Sequence, residues 1–226
     1  MLKEYGVTTI ELGVQSMCDE VLLKSKRGHT KADVRKAANL IKDYKISLGL
    51  QMMTGLLGDT PEKTIATAKE IIALGPDCVR IYPTLVLSGT PLEAMYNKGE
   101  YKPQTKDEAV ALCKELLQMF EDAKIPVIRV GLVTTDLICD GGAIVAGPYH
   151  PAFRELCEGE IYFDKISKAL EENSGCDTVW VKDTEVSKAV GNGGINTKRI
   201  KEKYGIDLKV KGTNTLEKGS IKIWKE

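Results

Sequence analysis

The sequence predicts an α/β fold, a parallel sheet with helices outside it over residues 1–133, followed after a turn-rich stretch by a small α+β module. Three observations lead there. Strand-like apolar runs alternate with helix-like amphipathic segments from Val7 to Gly131. Glycine- and proline-rich turns break that rhythm between Thr134 and Ser174. A second strand–helix–helix–strand order begins after Gly175. The chain has 226 residues, 42% hydrophobic and 28% charged, enough for one medium domain and a small one, each with its own core.

Val7 to Val14 is β-branched and mostly apolar, which predicts a buried strand. Thr30 caps a helix over Lys31–Tyr44, with Val34, Ala37, Ala38 and Ile41 at helical spacing. Ile46–Met53 is a second strand. Thr60-Pro61-Glu62 combines a hydroxyl cap, a proline in the first turn and an acid at the positive dipole end, so a helix starts there and runs to Leu74 before Gly75-Pro76 stops it. Cys78–Pro83 is a third strand, and Thr84–Gln104 is expected as a long loop. Thr105 and Glu108 form a capping box that opens a helix to Ala123, and Ile125–Gly131 is a fourth strand. Strand and helix alternate in the manner of right-handed crossovers. Two short helices, Pro151–Cys157 and Tyr162–Glu171, are expected in a 134–174 extension. The 175–226 module then has strands at Thr178–Lys182, Ile206–Val210 and Ser220–Trp224, and helices ending at Val190 and Tyr204.

Four strands are too few to close a barrel, which takes about eight. The first strand is apolar on both faces, as an interior strand would be, so its exposed edge is expected to pair with another chain as a homodimer. The 32 basic and 32 acidic residues balance, and no apolar run is long enough to span a membrane. The sequence shows no signal-peptide stretch, which gives the expectation of a cytoplasmic protein. Residues 174–226 alone carry a net charge of +4, a sign suited to an anionic partner. The cysteines at 18, 78, 113, 139, 157 and 176 are nowhere closer than 18 residues, which excludes a Cys-x-x-Cys redox site or a local iron–sulfur loop.

Polar residues end three strands in succession: Gln15-Ser16, then Thr54 to Pro61, then Arg80 and Tyr82. At the carboxyl edge of a parallel sheet such exits converge on a ligand site. Glycines at a helix N-terminus after the second strand add N–H groups able to hold an anion. His29 and His150 are more simply read as surface and packing residues.

In this order, Ile10–Ser16, Arg27-Gly28-His29, Gln51–Pro61, Tyr82-Pro83 with Gly89-Thr90-Pro91-Leu92, and Ala146–Leu156 resemble radical S-adenosylmethionine (SAM) proteins. The branch is the one similar to the Elongator catalytic subunit and oxygen-independent coproporphyrinogen oxidase. The resemblance covers residues 5–160 and implies the C-terminal half of a partial (β/α) barrel. It also implies a 4Fe-4S cluster that cleaves SAM to a 5′-deoxyadenosyl radical, with the protein aligning the reactants. Position by position, Gln15 corresponds to the glutamine near the SAM methionine moiety and Arg27 to the arginine on its carboxylate. Gln51 stands where relatives place an aspartate on the ribose, a weaker neutral acceptor. The family's Cys-x-x-x-Cys-x-x-Cys motif is absent, so metal ligands are not assigned and the chain is expected to be a truncated piece, inactive by itself.

Val190-Gly191-Asn192-Gly193-Gly194-Ile195, between two helices, resembles the Gly-x-x-Gly loop of KH domains. That resemblance implies a KH-like module in which Gly191, Asn192, Gly193 and Gly194 admit a nucleic-acid backbone and Lys198 and Arg199 meet phosphates. With a SAM-dependent site in the same chain, the expected substrate is RNA, in particular tRNA. Two other readings remain: a non-catalytic RNA-binding protein on a decayed barrel, and a scaffold that assembles through its open sheet edge.

Overall fold

A computed structural model describes residues 2–135, 138–139, 141–173 and 175–224. The chain divides into two compact units, 1–151 and 152–226.

The first unit is built on a four-stranded, all-parallel sheet. Its strands are β1 (Thr9–Gln15), β2 (Ser47–Thr54), β3 (Cys78–Pro83) and β5 (Val127–Val130), in the order β1-β2-β3-β5. Helices connect them as the crossover rule requires: α1 (Asp19–Lys24) and α2 (Lys31–Asp43) after β1, α3 (Pro61–Leu74) after β2, α5 (Lys106–Asp122) after β3. Local chemistry sets their ends. Thr30 with Asp33 and Thr105 with Glu108 form reciprocal capping boxes, and Thr60 caps α3 with Pro61 in its first turn. Gly75 ends α3 in the left-handed region (φ 58°). Alternate residues of the sheet, among them Leu48, Leu50, Met52, Val79 and Ile81, are buried, as are Val34, Ala38 and Ile41 of α2, Ala68 and Ile71 of α3 and Leu116 and Phe120 of α5. β1 lies at the sheet's end, with Thr9, Glu11 and Gly13 exposed.

The stretch expected as an unbroken loop, 84–104, contains structure. β4 (Val86–Leu87) pairs antiparallel with β6 (Ile144–Ala146), and α4 (Pro91–Asn97) starts on a Thr90 cap. Helix α1 was likewise not foreseen.

In the second unit, α6 (Phe153–Glu172) is one continuous helix in place of the two short ones expected. Gly159 does not break it. A Cβ there would sit 3.7 Å from the Gly191 Cα, an ordinary van der Waals distance, so α6 and the Gly191 turn pack directly on each other at this point. β7 (Thr178–Lys182) is the central strand, parallel to β8 (Lys209–Thr213) and antiparallel to β9 (Ile221–Trp224). α7 (Val186–Val190) and α8 (Ile195–Tyr204) flank the Gly191–Gly194 turn. The core joins Tyr162, Ile166 and Leu170 of α6 to Val179 and Val181 of β7, Ala189 of α7 and Ile200 of α8. β8 starts three residues later than expected, because Ile206 and Leu208 are spent on this core and ladder pairing opens only at Lys209 opposite Thr178.

Candidate functional site

The face of the parallel sheet opposite its buried one is polar. Strand alternation and register place Glu11, Gly13 and Gln15 of β1 beside Gly49, Gln51 and Met53 of β2, which lie beside Arg80 and Tyr82 of β3. Arg129 of β5 is in register with Arg80.

Two of the resemblance-assigned residues meet here. The Gln51 Nε2 donates to the Gln15 Oε1 at 3.4 Å. Gln15 is only 8% exposed and has φ 63°, rare for a residue with a Cβ, at the point where the β1–β2 register slips. Its amide lies over Gly13, where an added Cβ would fall 2.6 Å from Nε2. Arg27 does not touch either glutamine. Its Nη2 donates to the thioether of Met53 at 3.1 Å, on the same face as Gln51. The His29 ring lies against this loop, with Nδ1 3.2 Å from the Arg27 carbonyl and Nε2 3.2 Å from the Val14 carbonyl; its neutral form donates to one of the two. Below, Thr67 of α3 holds the exit from β1, accepting from the Met17 N–H at 3.0 Å and meeting the Ser16 hydroxyl at 3.3 Å.

The same face carries a bridge that sequence reasoning missed. Arg80 forks onto Glu11, with Nε at 2.5 Å from Oε2 and Nη2 at 2.9 Å from Oε1, and its Nη1 reaches the Tyr82 hydroxyl at 3.4 Å. Glu11 and Arg80 lie on strands separated by β2, and the pair crosses above Gly49. A Cβ at Gly49 would fall 2.6 Å from the Glu11 Cγ and 3.3 Å from the Cys78 Sγ. Glu11 holds the guanidinium even more firmly protonated than usual, and burial pushes the Cys78 thiol up. Residue types alone do not show that these strands flank β2.

A cavity of about 470 Å³ opens beside the start of α3, lined by Gly55, Leu56, Asp59, Thr60, Lys102 and Gln104 together with residues of α5. Asp59 is a half-buried acid in its wall. It accepts from the Gly55 N–H (3.0 Å), the Thr60 N–H (2.9 Å) and the Thr64 hydroxyl (2.7 Å), yet desolvation outweighs these bonds and raises its pKa. The Tyr101 hydroxyl donates to the Gly55 carbonyl at 2.6 Å, and burial pushes that phenol up to about 12.

In the second unit, Gly191, Gly193 and Gly194 all have positive φ (79°, 61° and 74°). Gly191 has no room for a side chain: a Cβ would meet Asn196 at 2.8 Å and Ile195 at 2.9 Å. Asn196 is buried, and its Nδ2 donates to the Gly159 carbonyl at 2.8 Å. Asn192 is exposed, and the Lys198 ammonium lies 3.4 Å from the Gly193 carbonyl. Arg199 is engaged elsewhere, paired with Glu160 and stacked on the Phe163 ring at 3.6 Å, so its charge is largely neutralised within the fold.

Both implied cofactors can be set against these residues. Arg27 rests on a thioether, one of the weakest acceptors available, and an incoming carboxylate would displace it readily. The Gln15–Gln51 amide pair offers further donors and acceptors on the same face, so a methionine-type zwitterion fits. An iron–sulfur cluster does not: among the described residues no group of three or more His, Cys, Asp or Glu side chains is arranged to hold a metal.

Comparison with known proteins agrees with this sheet. Residues 1–71 match the profile described as the radical SAM superfamily, and residues 76–162 match the radical SAM C-terminal domain. The chain is 43% identical over 115 residues to a tRNA uridine(34) acetyltransferase of Methanocaldococcus jannaschii, covering 50% of this chain and 21% of that protein. It is 32% identical over 155 residues to human Elongator complex protein 3, covering 67% and 27%. The solved structure of the archaeal Methanocaldococcus infernus Elp3 with an N-terminal deletion superposes with a TM-score of 0.60 at 31% identity, over 76% of this chain and 37% of that one. The chain therefore spans only about a fifth to a third of the length of the curated relatives it matches. With profile matches running in order along the chain and an Elp3 fold shared over most of it, residues 1–162 belong to the radical SAM superfamily.

Proposed function

We propose that this chain is the SAM-facing part of a radical SAM protein that modifies tRNA. The observation that carries the reading is the meeting of Gln15 and Gln51 on the polar sheet face, with Arg27 held beside them on Met53. Arg27 binds the carboxylate of SAM, and Gln15 and Gln51 orient the rest of the ligand through their amides. When bound, SAM would supply the reactive group of the chemistry, and Arg27, Gln15 and Gln51 are the residues of this chain that would hold it. His29 holds the Arg27 loop by a ring N–H donated to one of the two backbone carbonyls beside it, and Glu11 with Arg80 forms a charged floor on the same face. The tRNA assignment is supported by the names of the relatives and by the +4 charge of residues 174–226. In that tail the strand–helix–loop–helix–strand order around Gly191–Gly194 supports a KH-like module, with Asn192 and Lys198 meeting the RNA backbone and Arg199 shaping the helix behind them.

The test is calorimetric titration of SAM into the chain. Arg27→Ala weakens binding roughly tenfold to a hundredfold, as for a lost hydrogen bond to a charged group, and an unchanged affinity removes Arg27 from the site. Because the cysteines do not form a cluster-binding group, the chain alone stays colourless on anaerobic reconstitution with iron and sulfide. A brown chain that cleaves SAM would overturn that part. β1 is the end strand of its sheet, and its outer edge is the surface through which we expect self-association; a monomer at every concentration in size-exclusion chromatography would dismiss it.

A further inference from the structure

The three strands of the second unit are two-faced. Val179, Val181, Val210, Ile221 and Ile223 pack on the helices. The alternate residues form the other face: Trp180 and Lys182 of β7, Lys209 and Lys211 of β8, Lys222 and Trp224 of β9. Register confirms the grouping, since Trp180 pairs with both Lys211 and Lys222, and Thr178 pairs with both Lys209 and Trp224. The Lys211 ammonium lies 5.5 Å from the Trp180 ring centre and the Lys222 ammonium 5.4 Å from that of Trp224. Trp224 is 55% exposed and Trp180 half-buried. These strands contain no Asp or Glu; Asp177, at the entrance to β7, reaches Lys209 at 3.8 Å.

From this placement we infer that the open face of the β8-β7-β9 sheet binds single-stranded nucleic acid, its two tryptophans stacking unpaired bases and its lysines tracking the phosphates. Charge selects a polyanion. The rings select one with planar faces: diagonal cross-strand neighbours lie about 7–8 Å apart, so Trp180 and Trp224 offer two platforms side by side to successive unstacked bases. An acidic peptide would satisfy the lysines and leave the rings unused. An anionic membrane would find little to hold, because the aliphatic residues of all three strands point at the helices. A paired helix presents no free base faces to a flat sheet. This surface is distinct from the Gly191–Gly194 turn, since the helices flanking that turn pack on the opposite side of the sheet through Ala189 and Ile200. It stands independently of the SAM reading.

The chain's only two tryptophans are both on this face, so fluorescence excited selectively at tryptophan reports it. Titrating the full chain with a twelve-nucleotide oligouridylate quenches the signal. Trp224→Ala weakens binding about tenfold, within the range measured for loss of one base stack, and Trp224→Phe, which keeps a ring, restores most of it. The Lys211→Gln/Lys222→Gln double variant, which leaves both rings in place, lowers the salt slope by about 1.4 in log units. The inference is overturned if Trp224→Ala binds like the parent, if heparin or phosphatidylserine vesicles quench as strongly as the oligonucleotide, or if the lysine variant keeps the parent's salt slope.

Discussion

Gly191→Ala tests whether the turn between α7 and α8 is built around a packing contact. Gly191 sits at φ 79°, ψ 159°, a region open essentially to glycine alone, and holding alanine there costs about 1–3 kcal/mol. The new methyl would also lie 2.8 Å from the Asn196 Cγ. Moving Asn196 breaks its bond to the Gly159 carbonyl and strands a buried acceptor, for about 1–3 kcal/mol more. The combined loss of about 4 kcal/mol is most of what a small domain possesses. Gly193→Ala is the control. It has φ 61° but nothing within 4 Å of the added carbon, so only the left-handed cost of about 1–2 kcal/mol applies. Urea denaturation followed by tryptophan fluorescence reads this unit selectively, because Trp180 and Trp224 both lie in it. With a slope of about 1 kcal/mol/M, Gly191→Ala moves the midpoint down by roughly 4 M or leaves the unit unfolded, and Gly193→Ala moves it by 1–2 M. Equal midpoints for the two variants would refute the packing role of Gly191.

Three further outcomes follow from the first unit. Burial raises the Asp59 pKa, so its contribution to stability is fully present below the ordinary aspartate range and is lost as pH rises through the raised value; Asp59→Asn flattens that segment of the pH–stability curve measured by circular dichroism, and an unaltered profile would contradict it. Tyr101→Phe removes the bond to the Gly55 carbonyl and costs about 1 kcal/mol, without moving the tryptophan-detected transition. In the parent protein, ultraviolet titration shows one tyrosine ionising near 12, and that step is missing from the variant. Glu11→Gln breaks a half-exposed ion pair and lowers stability by about 1 kcal/mol or less, so a loss of several kcal/mol by urea denaturation would mean the pair does more than bridge β2.

What was legible in the sequence was local. Thr30 with Asp33, Thr60-Pro61 and Thr105 with Glu108 each start a helix through contacts a few residues long, and the structure starts helices at all three. Thr90-Pro91-Leu92-Glu93 carries the same signal, yet α4 was missed because the surrounding Gly, Pro and Ser suggested a loop. The break expected between Cys157 and Tyr162 is absent: α6 runs through Gly159, whose carbonyl accepts from the Asn196 Nδ2, a contact between segments distant in sequence. The candidate site divides along the same line. Gln15 and Gln51 were nominated by resemblance, and their 3.4 Å contact needs the β1–β2 register to exist. The Glu11–Arg80 bridge needs more, namely the knowledge that β2 separates their strands and that Gly49 leaves the crossing clear. Trp180 and Trp224 lie 44 positions apart in sequence, and only the β7–β9 register places them diagonally on one lysine-rich face. A side chain's face follows from alternation within its own strand, but its neighbours on that face follow from strand order. Strand order is set by crossover topology and burial over the whole unit, so the function-bearing pairs of both sheets became visible only with the fold.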